Sequence, residues 1–325
     1  MSSTAPLIPA AQALAAGASE WIVPYAGGPT DAAPAWAGLQ LPRLRALLAQ
    51  LTPEPLAQGS EYDFSPPHEV ALARALGLPA TPGLIPWAAH VKGEYGQACA
   101  FVTPAHWHVG TDHVRQMASG SELLDEQQSR QLLELLAPWF ADDGITLEYL
   151  CPGRWLARGA LFADLPTASL DRVRGRDVRP WLPRQQGEKT IERLQSEVQM
   201  LLYTHVFNDG RAERGLPPVN AFWVHGSGQL AGPVPQGGAV TVACIDDLRA
   251  SALQADTAGW RAAWQRLDEE VMSGLLQRLE RGEDIALTLC GERHAMRFTR
   301  QARGPWQKIL RKIRPMSLPN LPELL

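Results

Sequence analysis

IERLQSEVQMLLYTHVFNDGRAERGLPPVNAFWVHGSG, residues 191–228, reads as a helix, a polar connection, a short buried strand and a glycine-rich turn. Ile191, Leu194, Val198, Leu201, Leu202 and His205 recur at steps of three and four, one apolar stripe of a 3.6-residue period. Glu192, Ser196, Gln199 and Tyr203 fall on another face. Gly210, Gly215 and Pro217-Pro218 break that pattern. Ala221-Phe222-Trp223-Val224 is then a short apolar run of the kind buried inside a sheet, and Gly226-Ser227-Gly228 is expected to close it as a turn. Ligands in open α/β sheets sit beyond the carboxyl ends of strands. Glycines there let backbone N–H groups approach an anion closely, although a tight turn without a ligand fits the same residues.

The pattern extends outward on both sides. On the N-terminal side, strands are expected at Trp21–Tyr25 and Ala98–Val102, helices at Leu41–Leu51, Pro67–Leu76 and Asp125–Phe140, and a strand pair at Ile145–Leu150 and Arg154–Phe162. Thr52–Ser65 reads as a loop and Thr167–Arg184 as irregular and basic. On the C-terminal side follow a strand at Ala239–Cys244, a long helix at Ala258–Arg281 and a hairpin at Ile285–Cys290 and His294–Phe298. Strands mixed with helices throughout predict an α/β (or α+β) fold: a mixed sheet flanked by helices, one compact unit with room for two lobes. The expected segmentation is a loose N-terminal segment over 1–20, a single α/β domain over 21–303, and a basic amphipathic C-terminal helix and tail over 304–325.

Composition narrows the function classes. The chain has 325 residues, 45% hydrophobic, enough for a large core, and a net charge of -4, which gives no nucleic-acid signal. Cys99, Cys151, Cys244 and Cys290 are far apart and form no CxxC pair, which reads as free thiols in a reducing compartment. The first basic residue is Arg43, so no secretory signal is expected. No run approaches the roughly 20 apolar residues of a membrane span. A cytoplasmic location is the expectation.

Four constellations could carry chemistry. His106, His108, Asp112 and His113 follow a strand, and imidazoles at i and i+2 of an extended segment point the same way. With His113, the pair His106 and His108 could hold a divalent metal, or line a metal-free polar pocket, or be loop residues. Arg172 and Arg176, with Arg174 and Arg179, offer guanidinium forks for phosphate or carboxylate, or a solvated loop paired with carboxylates. Glu197 on the central helix, near His205 and Asn208, could do acid–base work or face solvent. Trp306, Ile309, Leu310 and Ile313 fall at helical spacing, with Lys308, Arg311, Lys312 and Arg314 on the other side, a helix suited to an anionic surface or a partner (Trp306–Arg314), or to docking on its own domain. No GxSxG elbow, P-loop or full dinucleotide fingerprint is present.

LQSEVQMLLYTHVFND (194–209) and VNAFWVHGSG (219–228), with SPPHEVALARALGL (65–78), TPAHWHVGTDHV (103–114), SLDRVRGRDV (169–178) and LTLCGER (287–293), resemble a proteobacterial family of phosphoglycerate-mutase-like proteins, also described as regulatory proteins of the RpfE type. The family is in turn distantly similar to archaeal-type cofactor-independent phosphoglycerate mutases. That resemblance implies a two-metal site with a metal-binding Asp-Gly after the first strand and a nucleophilic serine. Here the first strand ends in Tyr25-Ala26-Gly27-Gly28, with no carboxylate until Asp31. The expectation is a related protein without the metal centre and without a resident cofactor. It would bind a small anionic or phosphorylated molecule in a regulatory role, in a pocket joining His106, His108, Asp112 and His113 to Asn220, His225, Gly226 and Gly228. The alternatives are a metal-dependent phosphate-ester hydrolase or mutase at the histidine cluster, and an interaction module acting through the basic helix.

Overall fold

The computed structural model describes residues 17–29, 35–182, 188–234, 241–300 and 321–325. The segment expected to form the basic helix, Trp306–Arg314, lies outside the described residues, as does most of 1–20. In chain order the strands are β1 (Glu20–Val23), β2 (Thr52–Gln58), β3 (Ala98–Val109), β4 (Val114–Ser119), β5 (Thr146–Cys151), β6 (Arg154–Arg158), β7 (Ala221–Gln229), β8 (Val242–Cys244), β9 (Ala286–Cys290) and β10 (His294–Thr299). The main helices are α1 (Pro42–Gln50), α2 (Pro67–Ala75), α3 (Trp87–Lys92), α4 (Glu126–Ala141), α5 (Glu188–Tyr203), α6 (Thr257–Leu267) and α7 (Ser273–Glu280). The α/β expectation of a mixed sheet flanked by helices holds, with two sheets rather than one.

The described residues divide into two compact units, one drawn from 62–65 and 78–234, the other from 17–61, 66–77 and 241–325. The sequence offers no linker because the chain passes between the units several times.

The unit built on the chain termini has a five-stranded sheet in the order β2-β10-β9-β1-β8. β8, β1 and β9 run parallel, and β10 and β2 close one edge antiparallel. Trp21 and Val23 of β1, Leu287 and Leu289 of β9 and Ala243 point to one face by strand alternation and join the aliphatic face of α1. Trp36, Trp260 and Trp264 complete that core with ring centroids 5.5–6.2 Å apart. β2 falls in the stretch Thr52–Ser65 expected to be a loop, and it contains Pro53 and Pro55. It is an edge strand, where a residue without an N–H costs no ladder bond. The expected long helix at 258–281 is interrupted by a π-helical turn at Asp268–Met272. Asp268, 2% exposed there, accepts from the backbone N–H groups of Leu44 (2.7 Å) and Arg43 (3.3 Å). A carboxylate supplied from a distant helix therefore caps α1, whose own preceding residue, Leu41, cannot.

The other unit is organised on the stretch quoted at the outset. β7 pairs antiparallel with one side of β3, and β4 and β6 share its other side, with β5 outermost. β3 extends well past the expected Val102, through Pro104 and into a hairpin with β4. α5 presents Ile191, Leu194, Val198 and Leu202 to Phe222 and Val224, as the 3.6-residue stripe predicts. His205 is not on that stripe. It caps the next short helix, Val206–Ala212, with Nδ1 accepting from the Phe207 N–H at 3.1 Å.

The expected Gly226-Ser227-Gly228 turn is instead part of β7. The pairing jumps from Gly228↔Cys99 to His225↔Phe101, so two residues oppose one, a β-bulge with Gly226 at φ +64°. A side chain on Gly226 would meet Trp87 Cβ at 3.1 Å, and one on Gly228 would meet Pro86 Cβ at 2.9 Å. The close approach these glycines allow is to α3 and the residue before it.

Candidate functional site

Alternation sorts the β3–β6–β7 sheet into two faces. Ala100, Val102, Trp155, Ala157, Phe222 and Val224 form the apolar face under α4 and α5. The pairs Phe101↔His225 and Phe101↔Leu156, stepped by two residues along each strand, place Phe101, Thr103, Arg154 and His225 on the other face.

His225 is fully buried. Its Nε2 lies 3.0 Å from Thr103 Oγ1, its ring centroid is 5.3 Å from that of Phe101, and its Nδ1 has no partner among the described residues. Burial, reinforced by the Arg154 charge and opposed by Asp171, holds the imidazole pKa down at about 3. The ring is neutral at physiological pH. Asp171, 2% exposed, stands in the short helix Leu170–Val173, whose first turn is capped by Ser169. Arg154 is half-buried with its guanidinium carbon 5.3 Å from the Phe101 ring centre. It forms no ion pair among the described residues, and its buried Nε has no hydrogen-bond acceptor there. Among the described residues the guanidinium therefore stands beside a neutral imidazole with no carboxylate in ion-pair contact.

A consequence for stability follows from the His225 pKa. Below the ordinary value near 6.5 the unfolded chain takes up a proton that the folded protein refuses down to about pH 3. Stability is expected to fall as pH drops from about 6.5, with His225 contributing up to about 1.4 kcal/mol per pH unit. Denaturant midpoints of wild type and His225→Gln between about pH 7 and 4.5 check this; parallel curves would remove the assignment.

The histidine cluster expected from the sequence sits elsewhere. His106 and His108 lie near each other, as their spacing predicts, and a charge on His108 disfavours one on His106. His106 is directed to the backbone of Pro218, with burial and the nearby Arg211 holding its pKa down. By strand alternation it is on the sheet face opposite His225, so the expected pocket joining the two groups is not formed. His113 Nδ1 pairs with Asp112 Oδ1 at 2.8 Å and its ring packs against Gly110. That hydrogen bond holds the Asp112 carboxyl below its ordinary range. Among the described residues no three His, Cys, Asp or Glu side chains converge to hold a metal ion, so His106, His108 and His113 do not form a ligand set. The carboxyl end of β1 carries Tyr25 at φ +57°, with its ring 5.3 Å from His68. Among the described residues these donors do not assemble the two-metal centre that the family resemblance implies.

Asn220 turns its amide to the backbone. Oδ1 accepts from Trp107 N–H at 2.7 Å and Nδ2 donates to Trp107 O at 2.8 Å, continuing the β3–β7 pairing by one rung. The four arginines of 172–179 diverge. Arg172 is buried with its guanidinium 5.6 Å from the Trp181 ring centre, while Arg174 pairs with Glu122 and Arg179 with Asp177. Arg176 lies in the segment beside β4, its carbonyl accepting from Gln116 N–H at 3.2 Å. Ser227 is fully buried between the Thr167 hydroxyl and the Leu165 and Gly83 carbonyls, no position for a nucleophile. Glu197 pairs with Arg193 along α5. Arg154 and Phe101 escaped the sequence reading; the usable signal was a polar residue at period two in otherwise apolar paired strands.

No family model matches the chain, and no curated protein matches it. Among solved structures it is similar to the PH0037 protein from Pyrococcus horikoshii, at 10% identity and a TM-score of 0.45 over 88% of both chains. It is also similar to the cofactor-independent phosphoglycerate mutase from Thermoplasma acidophilum, at 14% identity and a TM-score of 0.35, over 86% of this chain and 89% of that one. Likeness at these scores assigns neither a reaction nor a residue role. No helix among the described residues is long and apolar enough to cross a membrane.

Proposed function

We propose that this protein is a phosphoglycerate-mutase-like protein without the metal centre, and that it binds a small anionic or phosphorylated molecule in a regulatory role. The supporting observation is Arg154: a half-buried guanidinium with no carboxylate paired to it among the described residues, set against Phe101 on the sheet. Guanidinium forks match the oxygens of phosphate and carboxylate, and partial burial strengthens such a contact relative to open solvent. Ser227 is locked and His225 neutral, which suits recognition better than turnover. The ligand sites read from His106, His108, Asp112 and His113 give way in this reading to Arg154, Thr103 and His225, with Arg172 as a neighbour in sequence to Asp171. A cytoplasmic location belongs to the same proposal.

The test is thermal-shift titration with inorganic phosphate, sulfate and a panel of phosphorylated metabolites in the presence of a chelator. Wild type is expected to gain several degrees from at least one of these, and Arg154→Gln to lose at least about tenfold in affinity, equivalent to about 1.4 kcal/mol. A flat wild-type response, or an Arg154→Gln protein that responds like wild type, sinks the proposal.

A further inference from the structure

The Arg154 cation does not stand alone: it shares the Phe101 ring with a buried imidazole that has one ring nitrogen in use and one without a partner among the described residues. We propose that an anion held by Arg154 is taken up together with one proton, which His225 carries on Nδ1. This rests on the anion-binding reading of Arg154 and adds its regulation: the site fills more readily as pH falls.

The surroundings of His225 decide the sign. From β6, Arg154 opposes a second positive charge, and from the Leu170–Val173 helix Asp171 favours one. β3 contributes Phe101 and Thr103, neither of them charged. α3 contributes Trp87, fully buried with its Nε1 unpartnered among the described residues, and behind it His90, whose ring is 6.3 Å from Trp87 and whose own protonation burial disfavours. In the free protein, burial and Arg154 together outweigh Asp171, and the ring stays neutral. An anion on Arg154 cancels that repulsion and places negative charge beside the ring. Its oxygens also give the new N–H on Nδ1 an acceptor, which the free protein lacks among the described residues. Proton and anion therefore stabilise one another, and by linkage the anion's affinity must climb wherever the complex binds more protons than the free protein.

Sulfate is the probe, because it does not titrate near neutrality. Calorimetric titrations at about pH 7.5 and about pH 5.0, in two buffers of different ionisation enthalpy, are expected to give at least about a threefold tighter Kd at the lower pH. The heat is expected to depend on the buffer, reporting net proton uptake. His225→Gln, checked for folding by circular dichroism, is expected to bind with little pH dependence and no buffer-dependent heat. Buffer-independent heats in wild type would overturn the coupling and leave the Arg154 site intact, as would a glutamine variant that keeps the wild-type pH dependence. Absence of sulfate binding at both pH values would remove the Arg154 reading and the coupling together.

Discussion

Replacing Trp260 with alanine is expected to cost about 3–5 kcal/mol, among the largest losses any single substitution in this protein can produce. The indole is fully buried, with centroids 5.5 Å from Trp36 and 6.2 Å from Trp264, and its Nε1 donates to Tyr25 O at 2.9 Å. Alanine removes the ring from a packed aromatic triad and leaves a cavity too large to close by small shifts. It also takes a donor from the carbonyl of a residue held at φ +57°. Phenylalanine keeps most of the volume and loses the hydrogen bond, so Trp260→Phe should cost about 1–2 kcal/mol. Chemical denaturation followed by near-ultraviolet circular dichroism reads both. A cost below about 1 kcal/mol for alanine would mean that the triad is not the packing centre of its unit.

The second large effect is expected at Arg211, in the unit that carries the candidate site. This arginine is 1% exposed, yet among the described residues no carboxylate pairs with it. Its Nε donates to Pro217 O at 2.9 Å, Nη1 to Gln128 Oε1 at 2.8 Å and Nη2 to Leu123 O at 2.9 Å. Burial, aided by Arg214 and opposed by Asp125, lowers its pKa from the ordinary arginine range. One side chain thus ties together the start of α4, the segment before it and the proline turn that leads into β7. Arg211→Met keeps much of the apolar stem but strands two buried acceptors, Gln128 Oε1 and Leu123 O, at about 1–3 kcal/mol for each unsatisfied group before relaxation, and leaves the part-buried Pro217 carbonyl to water. A net loss of about 3 kcal/mol or more is expected. Lysine has no fork and should recover less than half of it. Equal denaturation midpoints for wild type and Arg211→Met would show that water replaces the guanidinium without cost.

Both residues indicate how much could be read in the chain itself. Trp260 falls in a helical stripe with Trp264, Leu267, Val271 and Leu275, and its burial was legible from spacing. Arg211 sits in a stretch rich in charge and glycine that reads as a polar connection, and nothing local distinguishes a buried guanidinium from an exposed one. The same division holds at the candidate site. His225 was among the candidate pocket residues, whereas its neighbours Thr103, Arg154 and Asp171 lie 122, 71 and 54 positions away. The histidines of 106–113 were conspicuous because they are close in sequence, but that proximity put them on a hairpin, with His106 on the sheet face opposite His225.

What the sequence determined by itself was the alternation of elements. Periodicities of 3.6 and 2 are set by backbone geometry and by the need to bury apolar side chains, both of which act locally. The α5 stripe, the β5–β6 and β9–β10 pairs and the absence of a membrane-length apolar run all follow from it. Only the tertiary structure decided which strands share a sheet, that Gly226 marks a bulge rather than a turn, that Asp268 caps a helix more than two hundred residues away, and that Arg154 shares an aromatic ring with His225. Those outcomes depend on register and on partners brought together by chain closure, and a one-residue change of register moves a side chain to the opposite face of the sheet.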